Sequence, residues 1–264
     1  MLTWFVRGLR RGQVTTRYPK RPETPGEGFR GQIDLRAATG ASADIAAVCP
    51  TGAIAVEADG AVAIDRGACV LCGACVDAFP DRFAFERRHE SAVTDRRALV
   101  RSAAGEEPDV LAAVEPRAAR ALGAQTRTLR KSIHVRHIDT GSDGSEEWEI
   151  QALWNPYYDI QRLGFFLTSS PRHADILIVT GGVTGPMRGP LELTWRLMPE
   201  PKALVAVGTD ACSGGLAAQT GLTAGGVDAV LPVDVYVPGA PPSPIAILDG
   251  LLAAVGLLRA GDRA

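Results

Sequence analysis

The chain has 264 residues, of which 46% are hydrophobic and 22% charged, the balance of a soluble globular protein with room for two ordinary domains. Its 28 basic and 30 acidic residues give a formal net charge of −2, which excludes the basic footprint of a nucleic-acid-binding protein. Arginines interrupt the opening MLTWFVRGLRRG, so no secretory signal is expected. The apolar run PIAILDGLLAAVGLL contains Asp249 and is too short to span a bilayer, which predicts a core helix and no transmembrane segment.

The first half of the chain divides into three segments by composition. Residues 1–33 are basic, with a short amphipathic opening, and are predicted to form a docking arm; the alternative is a disordered N-terminus. Residues 34–86 form a compact unit in which the strand signals AIAVE and FAFE repeat. Residues 87–130 are rich in Arg, Glu and Ala, which predicts a helical linker.

Cysteines are clustered in the compact unit. Four of the five lie between positions 49 and 75, while Cys212 stands alone and is predicted to be a small buried residue. In a chain without an export signal, such clustering indicates metal rather than disulfides. Two-cluster bacterial ferredoxins carry two C-x2-C-x2-C-x3-C-P runs, and the fourth cysteine of each run binds the other cluster. The sequence CVLCGACVDAFP and the Cys-Pro step at Cys49 follow this pattern in part.

The cysteines that remain form one complete ligand set, consisting of Cys49, Cys69, Cys72 and Cys75. The four positions of the other set hold Thr39, Ser42, Ile45 and Phe79, none of which offers a thiolate. Random decay would rarely empty one site completely and spare its neighbour. We therefore predict one [4Fe–4S] cluster in this unit. The alternatives are a four-cysteine zinc site, although zinc sites usually pair two C-x2-C elements, and no metal at all.

From residue 131 the pattern changes to strands that alternate with segments of helical length. Apolar, β-branched runs occur at SIHVRHI, ADILIVTGG, KALVAVGT and AVLPVDVYV, which predicts a parallel α/β sheet. A glycine-rich loop follows each run. Because the carboxyl ends of parallel strands meet at one edge, these loops are expected to converge there.

Two segments resemble known families. The motif RGQVTTRYPKRP with residues 34–86 resembles the ferredoxin-type subunit of complex I and membrane-bound [NiFe] hydrogenases. Residues 131–264, with SPRHADILIVTGG and LPVDVYVPGAPP, resemble the small, cluster-carrying subunit, the 20-kDa subunit of complex I. The resemblance implies an α+β ferredoxin-like domain followed by a flavodoxin-like α/β three-layer domain with a mainly parallel sheet. Two modules that are normally separate chains are joined here.

The resemblance also implies a [4Fe–4S] cluster in the second half, but its cysteine positions are vacated. They hold Asp143, Glu146, Asp210 and Ala240, so we expect this cluster to be absent. Three alternatives describe the remaining carboxylates, which have Asp139 nearby. They could hold a hard cation, form a solvated or paired pocket with His137 or Arg172 as partner, or keep one carboxyl protonated.

The implied function is that of a peripheral-arm iron–sulfur subunit in a complex-I- or group 4 hydrogenase-related membrane complex. It would dock a large-subunit homologue and membrane-arm subunits at the cytoplasmic face of the membrane, with an interrupted electron path and no catalytic centre of its own. The alternative is an active electron-transfer subunit that passes electrons from its single cluster to a partner redox centre. His173, in the SPRHAD segment, is expected to be an interface residue, with a proton relay as the second possibility.

Overall fold

The computed structural model describes residues 3–12, 14–36, 43–58, 60–102, 119, 122 and 132–257. Helix α1 opens the chain at Thr3–Arg11. The elements that follow, up to residue 102, are β1 (Gln32–Leu35), α2 (Ala43–Ala47), β2 (Ile54–Val56), β3 (Val62–Asp65), α3 (Ala74–Ala78), β4 (Phe83–Glu86) and β5 (Val100–Ser102). Strands β1 and β4 pair antiparallel, and β2, β3 and β5 form a second antiparallel sheet.

Both predicted strands of the repeat are present, since AIAVE contains β2 and FAFE is β4. Strand β5 comes from the segment predicted as a linker and pairs with β3, so this segment extends the first unit. Most of the predicted linker helix lies outside the described residues. Ala119 and Leu122 are described, and both are helical and buried.

The second half contains β6 (Ile133–Asp139), α4 (Ser145–Ala152), β7 (Phe165–Leu167), β8 (Ile176–Thr180), α5 (Gly185–Leu197), β9 (Ala203–Val207), α6 (Thr209–Ser213), β10 (Val235–Val237) and α7 (Pro244–Ala254). Five strands form one sheet in the order β10-β9-β8-β6-β7, and every pair is parallel. Counted from β6, the order is 2-1-3-4-5, which flavodoxin-like sheets share. The predicted parallel α/β sheet is confirmed. Strand β7 was missed, because a three-residue edge strand has too little periodicity to detect.

Alternating residues of the central strands fill two cores on opposite faces of this sheet. Ile176 and Ile178 point into one core with α7, whereas Leu177 and Val179 point into the other with α5 and α6. Strands β8 and β9 are buried throughout, as strands covered on both faces must be. This rigid centre fixes where the loops at its carboxyl edge begin.

Contacts from several parts of the first half hold it against the second half. Tyr18 of the arm is buried against α7 and donates its hydroxyl to Asp249 Oδ1 over 3.0 Å. Arg96 forms two bonds of 2.8 and 2.6 Å to the Asp65 carboxylate and donates its Nε to the Cys212 carbonyl oxygen. Val93 exchanges backbone hydrogen bonds with Tyr236 of β10. None of the described helices has the length and apolar character needed to cross a bilayer.

Candidate iron–sulfur centre and the acidic loops beside it

The structure brings the four predicted cysteine ligands to one cavity. Cys69 and Cys72 lie in the loop before α3, Cys75 is in α3, and Cys49 follows α2. All four line the cavity, together with apolar side chains that include Ile33, Ile54 and Ile64. Gly73, with φ of 87°, allows the tight loop to pass Phe85, since an added Cβ would lie only 3.1 Å from that ring.

Backbone N–H groups point at two of the sulfurs. Ala53 N lies 3.3 Å from Cys49 Sγ, and Leu71 N lies 3.4 Å from Cys69 Sγ. Donors in these positions stabilise negative charge on sulfur, whether the sulfur is a free thiolate or a cluster ligand. The loop is therefore organised for charged sulfur atoms.

Burial changes the acidity of two of these thiols. Desolvation raises the pKa of Cys69 to about 12 and also raises the pKa of Cys75, and the neighbouring cysteines add to both effects. Without a positive centre the two thiols stay protonated at neutral pH. Metal binding requires the thiolate form, so loading the site releases protons.

The donor set fits an iron–sulfur cluster. Each cysteine of a [4Fe–4S] cluster binds a different iron atom, so the ligands need not surround a single point. Across the residues that the structure describes, no three His, Cys, Asp or Glu side chains form a group that could hold one metal ion. Four soft sulfur donors around an apolar cavity are what the cluster requires.

The other predicted ligand set of this unit is replaced by packing where it can be seen. Ile45 is 2% exposed and lies in the hydrophobic core of the unit, with Phe79 packed against that core. Thr39 and Ser42 lie outside the described residues. Apolar side chains thus occupy two of the four positions that a second cluster would need.

An arginine contacts the exposed edge of the cysteine loop. Arg30 Nη1 donates to the carbonyl oxygens of Leu71 and Cys72 over 2.6 and 3.0 Å. A cavity of about 320 Å³ adjoins Cys72 between the two units, and its lining includes Arg30, Arg88 and His89. Positive charge near a cluster favours its reduced, more negative state.

The structure brings together Asp143, Glu146 and Asp210, three of the four residues that the sequence comparison placed at the second-half cluster positions. Asp143 precedes α4, Glu146 lies in the first turn of α4, and Asp210 lies in the first turn of α6. Glu146 is only 3% exposed. It packs so closely on Gly208 that an added Cβ there would lie 2.4 Å from its Oε1. The loops after β6 and β9 therefore meet at this edge of the sheet.

Mutual proximity and burial shift the acidity of these groups in different directions. Desolvation, reinforced by the charges of Asp210 and Asp143, raises the pKa of Glu146 to about 7. Desolvation, with the charge of Asp143, also raises the pKa of Asp210. The hydroxyl and amide of Ser145, 2.6 and 2.9 Å from Asp143 Oδ1, lower the pKa of Asp143. Glu146 is thus the carboxyl that exchanges a proton near neutral pH.

The other predicted neighbours of this acidic site are only partly present. Ala240 follows β10, in the loop whose Gly239 carbonyl accepts from Thr209 N over 2.8 Å. His137 Nε2 lies 3.0 Å from Thr180 Oγ1 and 3.4 Å from Glu147 Oε1, so its carboxylate partner is Glu147, which sequence reasoning missed. Arg172, the other possible partner, does not lie at this site. Arg172 precedes β8 at the amino-terminal edge of the sheet, whereas the acidic loops lie at the carboxyl edge.

One hydrogen bond links the cysteine site to the acidic site. Thr209 Oγ1 donates to the Cys69 carbonyl oxygen over 2.9 Å, and Thr209 is the residue before Asp210. Sequence reasoning missed Thr209 as well, because its role depends on how the two units pack. Cys212 is 1% exposed and is a residue of α6 that faces the core, which confirms that it is a small buried residue.

Two protein-family models match the chain. The model described as "NADH ubiquinone oxidoreductase, 20 Kd subunit" matches residues 144–254. The model described as "4Fe-4S single cluster domain" matches residues 62–121, a range that includes Cys69, Cys72 and Cys75, with Cys49 upstream of it. Both halves of the predicted resemblance are therefore confirmed, and an iron–sulfur cluster is supported in the first half.

Relatives come from hydrogenases and from NADH-quinone oxidoreductases. Formate hydrogenlyase subunit 7 of Escherichia coli (strain K12) is 42% identical over 132 residues, which cover 50% of this chain but only 52% of that protein. The probable membrane-bound hydrogenase subunit mbhJ of Pyrococcus furiosus is 40% identical, with coverage of 48% and 76%. An NADH-quinone oxidoreductase subunit of Heliobacterium modesticaldum is 44% identical, with coverage of 39% and 60%. A chain of the archaeal membrane-bound sulfane sulfur reductase aligns with a TM-score of 0.44 at 27% identity, covering 51% of this chain and 77% of its own.

Proposed function

This chain belongs to the family of the 20-kDa subunit of NADH ubiquinone oxidoreductase, and on that premise we propose that it is the peripheral-arm iron–sulfur subunit of a complex-I- or group 4 hydrogenase-related membrane complex. It holds one [4Fe–4S] cluster, docks the large-subunit homologue, and has an interrupted electron path. The observation that carries this proposal is the pairing of a complete thiol set with a neighbouring site that has no thiol.

The cluster would be held by Cys49, Cys69, Cys72 and Cys75 and would supply a one-electron redox centre. The chain contributes the apolar cavity, the N–H donors of Ala53 and Leu71, and the nearby positive charge of Arg30. These groups act on the charge of the sulfur ligands, which is one of the means by which a protein tunes cluster potential. The count of one follows from the loss of both other ligand sets.

The electron path would end at the cysteine site. Asp143, Glu146 and Asp210 offer hard oxygen donors and Ala240 offers none, whereas iron–sulfur clusters require soft sulfur ligands. The raised pKa of Glu146, caused by burial, supports the alternative in which one carboxyl stays protonated and relieves repulsion among the three. In this proposal the acidic site has a structural role and exchanges a proton rather than an electron.

The partners and the location belong to the proposal too. We infer a large-subunit homologue and membrane-arm subunits as partners, with the chain peripheral on the cytoplasmic face of the membrane. Support comes from relatives that are named as subunits of a membrane-bound hydrogenase and of NADH-quinone oxidoreductases. The proposed domains are the arm 1–33, the ferredoxin-like unit 34–86, the linker 87–130, whose β5 pairs with that unit, and the flavodoxin-like three-layer domain 131–264.

This proposal is tested by measuring whether the reduced cluster is reoxidised in the whole assembly, isolated from its host membranes. The cluster would be reduced with dithionite, freed of excess reductant and mixed with vesicles that carry a long-chain quinone, which stays in the bilayer, while its EPR signal is followed by freeze-quenching. We expect the signal to persist without quinol or hydrogen formation. Ferricyanide serves as the control, since a soluble oxidant that reaches the exposed edge at Cys72 should reoxidise the cluster promptly.

The second candidate function is active electron transfer from the single cluster to a partner redox centre. The exposure of Cys72 favours it, because an exposed ligand gives a partner direct access to the cluster edge. In the same experiment, rapid loss of the EPR signal together with quinol or hydrogen production would support this candidate and contradict the interrupted path.

A further inference from the structure

Helix α1 stands apart from the rest of the molecule because none of its residues is buried. Trp4 is 71% exposed and Leu9 is 69% exposed, and Phe5 and Val6 are exposed as well. Large apolar side chains left in water cost free energy in proportion to their area. Four exposed apolar side chains on one short helix therefore indicate that a lipid surface or another molecule covers this helix.

The apolar and charged residues of α1 occupy different sides. With about 100° of rotation per residue, Phe5, Val6 and Leu9 share one side, with Trp4 at its border. Arg7, Arg10 and Arg11 share an arc of roughly 100° on the other side. No ion pair joins these arginines to any residue with a described position.

The chain beyond α1 is firmly attached to the second domain. Thr15 Oγ1 donates to the Pro156 carbonyl oxygen over 3.1 Å, and Thr16 N donates to the Tyr157 carbonyl oxygen over 2.8 Å. Tyr18 is then buried against α7. The helix is thus presented on the outside of the domain, only a few residues from an anchored segment.

We propose that α1 lies in the plane of an anionic lipid surface and binds this subunit to the membrane. A helix with aromatic and aliphatic side chains on one side and arginines on the other suits the boundary between acyl chains and headgroups. Trp4, at the border of the apolar side, matches the preference of tryptophan for that boundary. The three arginines are complementary to phosphatidylglycerol or another acidic headgroup. This proposal adds a means of attachment to the membrane location proposed above. It rests on that location for its role in the cell, but the binding of α1 to lipid can be tested separately.

Vesicle sedimentation with the purified full-length protein tests this proposal. We expect binding to phosphatidylcholine vesicles that contain about 30% phosphatidylglycerol and much weaker binding to pure phosphatidylcholine. Trp4→Ala should weaken binding roughly ten-fold, because the indole leaves the apolar boundary. Arg10→Gln should weaken it roughly five-fold, since one cationic contact is lost.

Trp148→Ala is the matched control, because Trp148 is 73% exposed but lies on α4. This variant should bind like the unchanged protein. The proposal is overturned if the unchanged protein does not bind anionic vesicles, if both tryptophan variants lose binding equally, or if charge in the vesicle has no effect. It is also overturned if Trp4→Ala releases partner subunits while the protein ignores vesicles, since a protein surface would then cover α1. Iron content measured on the same samples separates a failure of this proposal from a failure of the proposed cluster.

Discussion

The cysteine site and the acidic site lie at the two ends of one hydrogen bond, from Thr209 to Cys69, yet they differ in the side chains that line them. The cysteine site keeps its four thiols, an apolar cavity and N–H donors that point at sulfur. The acidic site keeps converging loops and a glycine beneath Glu146, but its donors are carboxylates. The sheet fixes where the loops meet, and the side chains on them decide which ligand can bind. Loop geometry and ligand chemistry can therefore change independently.

The positions predicted for a second cluster in the first unit carry a third kind of side chain. Ile45 and Phe79 extend the hydrophobic core there, whereas Glu146 and Asp210 place like charges close together. Apolar replacement stabilises a small unit by burial. Carboxylate replacement costs free energy unless a proton or a partner relieves the repulsion. The acidic site therefore depends on the proton of Glu146, whereas the apolar packing needs no such partner.

The largest effect should follow removal of one thiol from the cysteine site. Cys72→Ser is expected to lose most of the bound iron, because a complete set of soft ligands holds the cluster. Cys212→Ser, which changes a buried cysteine outside the cavity, should keep its iron. Iron and acid-labile sulfide per chain measure the effect. Equal iron in Cys72→Ser and the unchanged protein would remove Cys72 from the ligand set.

The next effect concerns the pH dependence of the acidic site. Burial raises the pKa of Glu146 from its ordinary value of 4.5 to about 7, so the folded state keeps a proton that the unfolded state releases. Stability should therefore fall as pH rises from about 4.5 to about 7, by up to about 3 kcal/mol in total. Glu146→Gln should flatten this dependence and be more stable than the unchanged protein at pH 8.

Urea denaturation at several pH values measures that difference. Asp143→Asn is the control, because hydrogen bonds from Ser145 lower the pKa of Asp143 and its ionised form is the favoured one. It should lose a little stability at neutral pH rather than gain any. A Glu146→Gln protein with the same pH dependence as the unchanged chain would mean that Glu146 is ionised throughout.

A smaller loss is expected at Arg96, which pairs with Asp65 inside the first unit and donates to the Cys212 carbonyl of the second. Arg96→Ala removes two bonds to the half-buried Asp65 carboxylate and one to the Cys212 carbonyl, which should cost about 2 kcal/mol of unfolding free energy. The neighbouring Arg97 forms an exposed pair with Asp95, so Arg97→Ala should cost less than about 0.5 kcal/mol. Similar losses in the two variants would show that Arg96 does not join the units.

The smallest effect tests the hydrogen bond between the two sites. Thr209→Val keeps the shape of the side chain and removes its donor to the Cys69 carbonyl, at a cost of about 1 kcal/mol in urea denaturation. Thr220→Val, at an exposed turn, is the control and should change stability by less than about 0.5 kcal/mol. If both variants match the unchanged protein, this hydrogen bond does not couple the two sites energetically.

The sequence was sufficient where the signal is local. The apolar runs of β8 and β9 predict their strands, and cysteine spacing predicts the grouping at one cavity. It failed for β5 and β7, three-residue strands whose pairing depends on distant partners. The roles of Glu147 and Thr209 depend on tertiary contacts, which the local sequence pattern does not predict. The open choice between His137 and Arg172 has the same origin, because sequence alone did not assign Arg172 to an end of the sheet.

The most direct test of the account is the amount of iron and acid-labile sulfide per chain in anaerobically purified protein, with EPR of the reduced sample. A single retained thiol set predicts about four irons, about four sulfides and one paramagnetic centre. About eight irons with two interacting centres would contradict the account, because a second cluster would then be present and the electron path would continue beyond the cysteine site.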